Sequence, residues 1–347
     1  MNPSNENIPS NPKVAVLVAG GAGYIGSHTC KQLKAAGYQP IVLDNLVQGH
    51  RWAVQWGPLV EGAVEDAELV RRVVSDFKIQ AVIHFAAHAD VAESVRNPRK
   101  YYSNNVRASL TFIDALLDAG IDKIVFSSTC ATYGIPKTLP IRENDLQQPI
   151  NPYGASKLMI EDVLGSYRNA YQLRSFVLRY FNAAGADADG LLGEDHDPET
   201  HLIPRAITAA LGRSPPIQVF GIDYDTPDGT AIRDYVHVTD LARAHVCALS
   251  LLMSGERGAC LNLGAGQGYS VREVISSIEA VSGRVVPYHE GPRRLGDPPV
   301  LVADNAQAAA VLNWKPVYSQ LSTIVESAWR WHERGGSEWL QRQHSVR

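Results

Sequence analysis

The sequence predicts an α/β fold in which a doubly wound parallel sheet is followed by a smaller C-terminal region. Short apolar runs rich in Val and Ile alternate with longer segments whose apolar residues recur at helical spacing, which is typical of βαβ units. A glycine-rich turn directly follows the first apolar run. With 347 residues, 45% of them hydrophobic and 20% charged, the chain is long and apolar enough for one or two closely joined globular domains.

The first half of the chain contains the predicted sheet. We expect strands at residues 14–18, 40–43, 81–85, 124–127 and 175–178, with helices at 24–36 and 106–119 among the segments between them. From Gly185 the chain becomes rich in Asp, Gly and Pro, with loops at 186–201 and 223–230 and helical patterns at 203–211 and 241–253.

This change in character predicts three parts. Residues 1–12 form a flexible N-terminal extension, 13–184 a nucleotide-binding domain and 185–347 a substrate-binding region that covers the carboxyl ends of the strands. The boundary is soft, because the apolar runs near Val177 and Leu261 are both candidates for the main sheet.

Composition excludes several classes of partner. The net charge of -4 disfavours nucleic acid, whose phosphates are bound by surplus Lys and Arg. No apolar stretch approaches the roughly 20 residues that span a bilayer, so we expect no membrane contact and a cytoplasmic protein. The four cysteines form no CxxC pair and predict neither a disulfide framework nor a zinc site.

The segment Gly20-Gly21-Ala22-Gly23-Tyr24-Ile25-Gly26 contains overlapping GxGxxG and GxxGxxG patterns between a predicted strand and a predicted helix. In that context, glycines let a dinucleotide approach the backbone, and the amides at the helix N-terminus receive its pyrophosphate. We therefore predict that Gly20, Gly23 and Gly26 bind a cofactor of the Rossmann type.

Asp44, at the end of the second strand, identifies the cofactor more closely. An acidic residue here accepts hydrogen bonds from the adenosine ribose and repels a 2′-phosphate. The neighbouring Asn45 offers no cation. NAD is therefore predicted in preference to NADP.

Tyr153 and Lys157 form the predicted catalytic pair. Asn151 and Pro152 are a helix N-cap and first residue, and on that helix residues four apart share one face. A nearby ammonium and the positive nicotinamide of NAD would stabilise a phenolate, so Tyr153 could accept a hydroxyl proton while hydride leaves the same carbon. Thr129, in the hydroxyl-rich segment that ends the 124–127 strand, is the predicted third member.

Together these residues resemble the extended short-chain dehydrogenase/reductase family, and most fully its branch of UDP-glucose 4-epimerases. The resemblance covers nearly all of the chain after Lys13, including the glycine turn, the 127–134 and 151–158 segments, residues 228–240 and Gly296-Asp297. It implies transient oxidation of a UDP-sugar to a 4-keto sugar by bound NAD, and a homodimer with paired helices at 106–119 and 161–171.

The resemblance also assigns residues to ligands. For NAD it implies the cofactor-binding residues Tyr24, Ile25, Asp44, Asn45, Phe85, Ala86, Ala87, Asn104, Tyr153, Lys157 and Phe181. For the UDP-sugar it implies Thr129, Asn182, Leu202, Arg233, Arg294 and Asp297. The two arginines also make chemical sense, because a guanidinium forms charge-assisted hydrogen bonds with phosphate oxygens.

Three positions depart from the family pattern. Ala63 replaces an Asp that some members carry near the adenine, and Ala89 replaces a Lys near the cofactor, so weaker retention of NAD is expected. Leu301 stands at the position that limits the size of the sugar, and its intermediate size leaves hexose, N-acetylhexosamine and pentose open.

Other functions fit the sequence less well. A UDP-xylose/UDP-arabinose 4-epimerase is the nearest alternative, because the 128–134 segment also resembles that branch. Dehydratases and decarboxylases need extra carboxylates where this chain has Cys130 and Ala131. A non-catalytic NAD-sensing protein would not need the Tyr153 and Lys157 pair.

The segment 194–201 contains His196 and His201 among carboxylates. We interpret it as a loop over the substrate, since its spacing is not typical of a metal site, and we expect no metal ion.

Overall fold

A computed structural model describes residues 14–294 and 297–344. The predicted extension at 1–12 and Gly296 of the Gly296-Asp297 match lie outside these ranges. The strands are β1 Ala15–Ala19, β2 Gln39–Asp44, β3 Leu59–Glu61, β4 Ala81–His84, β5 Lys123–Thr129, β6 Arg174–Tyr180, β7 Asn182–Ala184, β8 Ile217–Phe220, β9 Ile232–His237, β10 Cys260–Leu263, β11 Gly268–Ser270, β12 Tyr288–Gly291 and β13 Val300–Leu301. The helices are α1 Tyr24–Ala35, α2 Ala67–Phe77, α3 Val91–Arg96, α4 Pro98–Tyr101, α5 Ser109–Asp118, α6 Pro152–Tyr171, α7 Leu202–Ala210, α8 Val238–Met253, α9 Val271–Ser282, α10 Ala306–Leu312, α11 Leu321–Glu333 and α12 Gly336–His344.

The central sheet is parallel throughout, with the strand order β10-β6-β5-β4-β1-β2-β3. The order reverses between β1 and β4, and ligands of doubly wound sheets bind outside the carboxyl ends at such a switch point. This confirms the predicted fold class. The strand near Leu261, β10, pairs with β6 and so belongs to the main sheet.

Helices cover both faces of this sheet, as buried parallel strands require. On one face α2, α5 and α6 contribute Val70, Phe112 and Ile160 to a continuous apolar core. On the other face Leu33 of α1 and Leu249 of α8 pack against the sheet. The ends of the strands are thereby held rigidly at one edge.

A second layer lies beyond that edge. β9 pairs with β7, β11 and β13, while β8 pairs with β12. Helices α7, α9 and α11 pack around them with their own core, which includes Ile207, Ile278 and Ile324. The division into domains at 184 and 185 remains a prediction.

Most predicted elements differ from the observed ones by only one or two residues at each end. The clearest error is the start of the 106–119 helix. Tyr102–Ala108 is a π-helical turn, and regular helix begins at Ser109. Asn105 lies inside this turn and directs its side chain to the backbone of His88 and to Ser156. Such turns occur often at functional sites. No described helix is both long and apolar enough to cross a membrane.

Candidate active site

The glycine turn after β1 leaves no room for a side chain at Gly20. Its φ is +79°, and a Cβ would lie 2.6 Å from the backbone nitrogen of Ala86. The Gly20 amide donates to the carbonyl of Leu43 at 2.9 Å, which ties the turn to β2. Glycine is therefore needed here to bring three strand ends together.

Gly23 differs, because the protein itself does not require a glycine there. Its backbone is extended, with φ -80° and ψ 175°, and a Cβ would meet only the Gly20 carbonyl oxygen at 3.4 Å. No side chain caps α1, so the amides of its first turn, at Tyr24 and Ile25, face an open position. This space would be filled by an added Cβ and fits the pyrophosphate of a dinucleotide.

Tyr24 connects the turn to the second half of the chain. Its hydroxyl donates to the carbonyl of Gly185 at 2.6 Å. Its backbone amide is therefore the part left for a phosphate, while its ring is committed to the protein.

Asp44 ends β2 beneath the turn. One carboxylate oxygen accepts the Ala22 amide and the other accepts the Leu46 amide, both at 2.9 Å. Burial raises the pKa of Asp44, and these two amides oppose the rise. A carboxylate accepts about four hydrogen bonds, so capacity remains for two ribose hydroxyls. Asn45 is exposed beside it.

The chain leaving β4 lines the same edge. The amides of Phe85 and Ala86 both donate to the carbonyl of Ala19, which ends β4 one residue earlier than predicted and turns Ala87 over the carboxyl end of the sheet. Asn104, in the π-helical turn, donates to the side chain of Asn105 at 2.9 Å.

Asn105 is a positioning residue that the sequence did not reveal. Its side chain accepts the His88 amide and donates to the His88 carbonyl, both at 2.9 Å, and donates to Ser156 Oγ at 3.1 Å. The loop after β4 is thereby fixed to α6. Two adjacent asparagines carry no periodic signal that separates the buried one from the accessible one.

α6 begins as its sequence predicts. Asn151 accepts the amide of Gly154 at 2.8 Å, and Pro152 occupies the first turn. Tyr153 and Lys157 follow on one face and are only 7% and 4% exposed. Lys157 Nζ donates to the carbonyl of Ser127 at 2.8 Å, so the amine lies at the end of β5.

Thr129 closes the same group at the last residue of β5. Its hydroxyl accepts the amide of Ala131 at 3.1 Å and lies near enough to the Tyr153 hydroxyl to lower the pKa of that group. The structure thus brings together Thr129, Tyr153 and Lys157, although Thr129 and Lys157 are 28 residues apart in sequence. Their catalytic roles remain a prediction.

Without a bound cofactor, the pKa values of Tyr153 and Lys157 oppose the predicted chemistry. Burial raises the pKa of Tyr153 well above its usual value, and the Thr129 hydroxyl opposes the rise. Burial lowers the pKa of Lys157 to about 7, opposed by Glu161. A phenolate at Tyr153 therefore needs positive charge beyond what Thr129 and Lys157 provide.

Beneath the pair lies a buried ion pair that the sequence analysis missed. Arg179 of β6 and Glu161 of α6 are joined at 2.6 Å, with side chains 5% and 4% exposed. Glu161 also accepts hydrogen bonds from Ser128 and Gln147, and Arg179 donates to the hydroxyl of Tyr133 at 2.8 Å. Glu161 follows Lys157 by four residues, the one signal that it shares the catalytic face.

Two of the predicted UDP-binding residues border an open cavity of about 780 Å³. Arg294 and Asp297 line it. Arg233 Nη2 contacts Asp297 Oδ1 at 2.5 Å, and the Arg294 guanidinium lies 4.0 Å from the centre of the Phe220 ring. Arg294 therefore borders a cavity large enough for a nucleotide, and Arg233 is joined to its lining through Asp297.

The remaining predicted residues lie on other elements. Asn182 begins β7 beside β9, and Leu202 begins α7. Phe181 is buried in a small apolar cluster against which Cys130 and Leu301 pack. The predicted sugar-size position therefore adjoins the end of β5.

Two departures from the family pattern have visible surroundings. Ala63 follows β3, where the Gly62 amide donates to the backbone carbonyl of Asp44 at 3.0 Å, and Ala89 is exposed after β4. Neither methyl group can replace a charged contact.

The loop 194–201 places four ligand-type side chains together. Glu194, His196, Glu199 and His201 each offer one atom, and these atoms lie within 4.8 Å of one another. The sequence predicts no metal ion here, and the structure holds four possible ligands together.

A model of the NAD dependent epimerase/dehydratase family matches residues 16–264. The UDP-glucose 4-epimerase of Rhizobium meliloti (strain 1021) is 53% identical over 319 residues, covering 92% of this chain and 97% of that protein.

Solved structures agree with these matches. The UDP-glucose 4-epimerase of Brucella ovis in complex with NAD superimposes with a TM-score of 0.90 at 53% identity, covering 91% of this chain and 98% of that one. The UDP-glucose-4-epimerase of Stenotrophomonas maltophila, with bound NAD and formylated UDP-arabinopyranose, gives a TM-score of 0.89 at 37% identity, covering 96% and 100%.

Proposed function

Because the chain belongs to the NAD dependent epimerase/dehydratase family, we propose that it inverts C4 of a UDP-sugar, interconverting UDP-glucose and UDP-galactose. The observation that carries the proposal is the meeting of Thr129, Tyr153 and Lys157 at the end of β5, beside the glycine turn. Relatives named for this activity match over almost the whole chain.

NAD fits the residues at the switch point of the sheet. The open position at Gly23 and the uncapped amides of α1 would hold its pyrophosphate, and Asp44 its ribose. When bound, NAD would supply a hydride acceptor for the sugar C4 and a positive charge that favours a phenolate. Phe85, Ala86, Ala87, Asn104 and Phe181 would enclose the rest of the cofactor.

Tyr153 is the proposed base and acid. In the forward half it takes the proton of the C4 hydroxyl, and in the return half it gives the proton back. Lys157 supplies positive charge from below, and Thr129 orients the reacting oxygen through its hydroxyl. Loss of hydride and proton leaves a 4-keto sugar, which must turn over before the hydride returns.

The division of polar and apolar residues supports that turn. Arg233 and Arg294 at the cavity would hold the diphosphate through charge-assisted hydrogen bonds, with Asp297, Asn182 and Leu202 around the nucleotide. The sugar side is bordered by the apolar cluster with Cys130 and Leu301. Firm binding of UDP and loose binding of the sugar let both faces of the ketone reach the same site.

A UDP-pentose is the second candidate substrate. A relative with the same fold has been solved with formylated UDP-arabinopyranose. Leu301 has an intermediate size, which leaves a pentose open beside a hexose. Conversion between UDP-xylose and UDP-arabinose would then accompany the hexose reaction.

We further propose a homodimer in the cytoplasm. α6 exposes 44% of Met159, just before the 161–171 segment predicted to pair, and all four cysteines are free, as in a reducing compartment. Sedimentation velocity is expected to give a dimer for the wild type and a monomer for Met159→Lys, with the exposed Val285→Lys as control.

The test of function uses three substrates and one variant. Purified protein is incubated separately with UDP-galactose, UDP-N-acetylgalactosamine and UDP-arabinose, and the 4-epimers are resolved by chromatography. We expect conversion of UDP-galactose, lowered about 10²- to 10⁴-fold by Tyr153→Phe, with NAD binding retained by calorimetry. Conversion of the pentose alone would replace the leading proposal. An unchanged rate for the variant would remove Tyr153 from the mechanism.

A further inference from the structure

The loop before α7 holds two histidines and two glutamates around one point. His196 Nδ1 lies 3.4 Å from Glu194 Oε1 and 3.3 Å from Glu199 Oε2. His201 Nδ1 lies 3.4 Å from Glu199 Oε1 and 2.6 Å from Glu194 Oε1. A tetrahedral zinc ion bonds such atoms at about 2.0–2.1 Å, which puts neighbouring ligand atoms about 3.3 Å apart. The distances of 3.3 and 3.4 Å have that value, with Glu199 facing the two histidines through different oxygens, and the 2.6 Å contact is shorter.

Glu194 gives an independent indication of a bound cation. The residue is 4% exposed, and its Oε1 atom has no hydrogen bond of acceptable geometry, although nitrogens of both histidines lie near it. Buried carboxylate oxygens are almost always hydrogen-bonded or bound to a cation. The nitrogens of His196 and His201 lie 3.4 and 2.6 Å from this oxygen, so both histidines face it.

We propose that Glu194, His196, Glu199 and His201 bind one zinc ion. Two imidazole nitrogens with two carboxylates suit zinc, whereas calcium and magnesium prefer oxygen ligands alone. Four protein ligands would leave no open position, so the ion has a structural and not a catalytic role.

The surroundings show what the ion would hold in place. The carbonyl of Glu194 accepts Trp331 Nε1 of α11 at 3.1 Å, and the ring of His196 packs edge-on against Tyr24 at 6.2 Å between centroids. His201 directly precedes Leu202 at the start of α7. A zinc ion here would join α1, α7 and α11 through one loop. This role does not depend on the proposed epimerase reaction.

The test measures metal in the untagged full-length protein. After dialysis against metal-free buffer, mass spectrometry of the elements is expected to find about one zinc per chain. His196→Gln and His201→Gln are each expected to lose it. His289→Gln, which changes an exposed histidine outside the cluster, is expected to keep it.

A second measurement protects the test against variants that fail to fold. The wild-type protein is stripped with a chelator and titrated with cobalt(II). An intense visible band of tetrahedral cobalt at one equivalent supports the site. A weak octahedral spectrum, or no binding of zinc or cobalt by the wild type, would show that the four side chains form ion pairs only and would overturn the proposal.

Discussion

Lys157 has the side chain whose charge the site depends on most. It is buried at 4% exposure, and its pKa is lowered from the usual 10.5 to about 7. Buried amines lose water that stabilises their charge, and one carbonyl and Glu161 replace it only in part. The residue is therefore poised to change charge near neutral pH.

This shift predicts how stability depends on pH in the protein without NAD. Between pH 7 and 10.5 the unfolded chain carries a proton on Lys157 that the folded chain lacks, so the free energy of unfolding rises with pH in that window. The contribution is on the order of 1 kcal/mol per pH unit. Lys157→Met removes this contribution. The other titrating groups are the same in both proteins, so the difference between them reports Lys157.

Urea unfolding of wild type and Lys157→Met at several pH values from 7 to 10 measures the effect. The free energy of unfolding of the wild type is expected to rise with pH relative to that of Lys157→Met. Parallel curves for the two proteins would mean that Lys157 keeps its ordinary pKa when folded.

Single residues were predictable where a motif fixed their type and spacing. Asp44, Thr129, Tyr153 and Lys157 belong to such patterns. Asn105 does not, because its role rests on contacts with the backbone of His88 and with Ser156, 51 residues away.

Alanine substitutions in the glycine turn and in α1 are expected to differ in their effects. Gly26→Ala puts a Cβ 2.2 Å from the Gly20 carbonyl oxygen, so the backbone must shift, at a cost of about 1–3 kcal/mol. Gly23→Ala meets only an ordinary contact, so its stability is expected to change by less than about 1 kcal/mol. Its added methyl group nevertheless occupies the proposed pyrophosphate position.

Thermal unfolding and NAD titration separate the two effects. Gly26→Ala is expected to lower the melting temperature, while Gly23→Ala keeps it and binds NAD at least about tenfold more weakly, or about 1.4 kcal/mol. Wild-type affinity in a stable Gly23→Ala protein would place the cofactor elsewhere.

The contact between α6 and β6 gives a second prediction. Removing one partner of the buried Glu161–Arg179 pair leaves a lone charge, at a cost of about 3–5 kcal/mol, whereas replacing both by apolar residues is close to neutral. Arg174–Asp122 is a more exposed pair, at 24% and 40%, and Arg174→Met should cost about 1 kcal/mol or less.

A double-mutant cycle in urea, with Glu161→Leu, Arg179→Met and both together, tests this expectation. The double variant is expected to be more stable than either single variant. Glu161→Leu is also expected to lower kcat more than it changes KM, since Glu161 supports the charge of Lys157. Additive stability losses would show that the pair is not coupled.

Long periodic elements were predictable, and short or irregular ones were not. α1 and β5 follow their apolar patterns to within a residue or two. β13 has two residues and β7 three, too few for any period to show. Asn105 in the π-helical turn makes tertiary hydrogen bonds, which no local pattern contains.

At the scale of the whole molecule, the order of the strands explains why the site lies where it does. The switch between β1 and β4 brings the glycine turn, Asp44 and the loop after β4 to one edge, and β5 and α6 bring Tyr153 to the same edge. The alternation of strands and helices in the sequence predicted a site at this edge of the sheet. The second layer, with its cavity at Arg294, was predicted only as a loop-rich covering region, because its strands pair across long stretches of sequence.

In the proposed reaction, hydride leaves C4 of the sugar and returns to the same carbon on the other face. UDP-galactose carrying deuterium at C4, incubated with the enzyme in ordinary water and analysed by NMR, reports this transfer. We expect UDP-glucose that keeps its deuterium at C4, with no net rise in NADH absorbance. Replacement of that deuterium by hydrogen from water would contradict it.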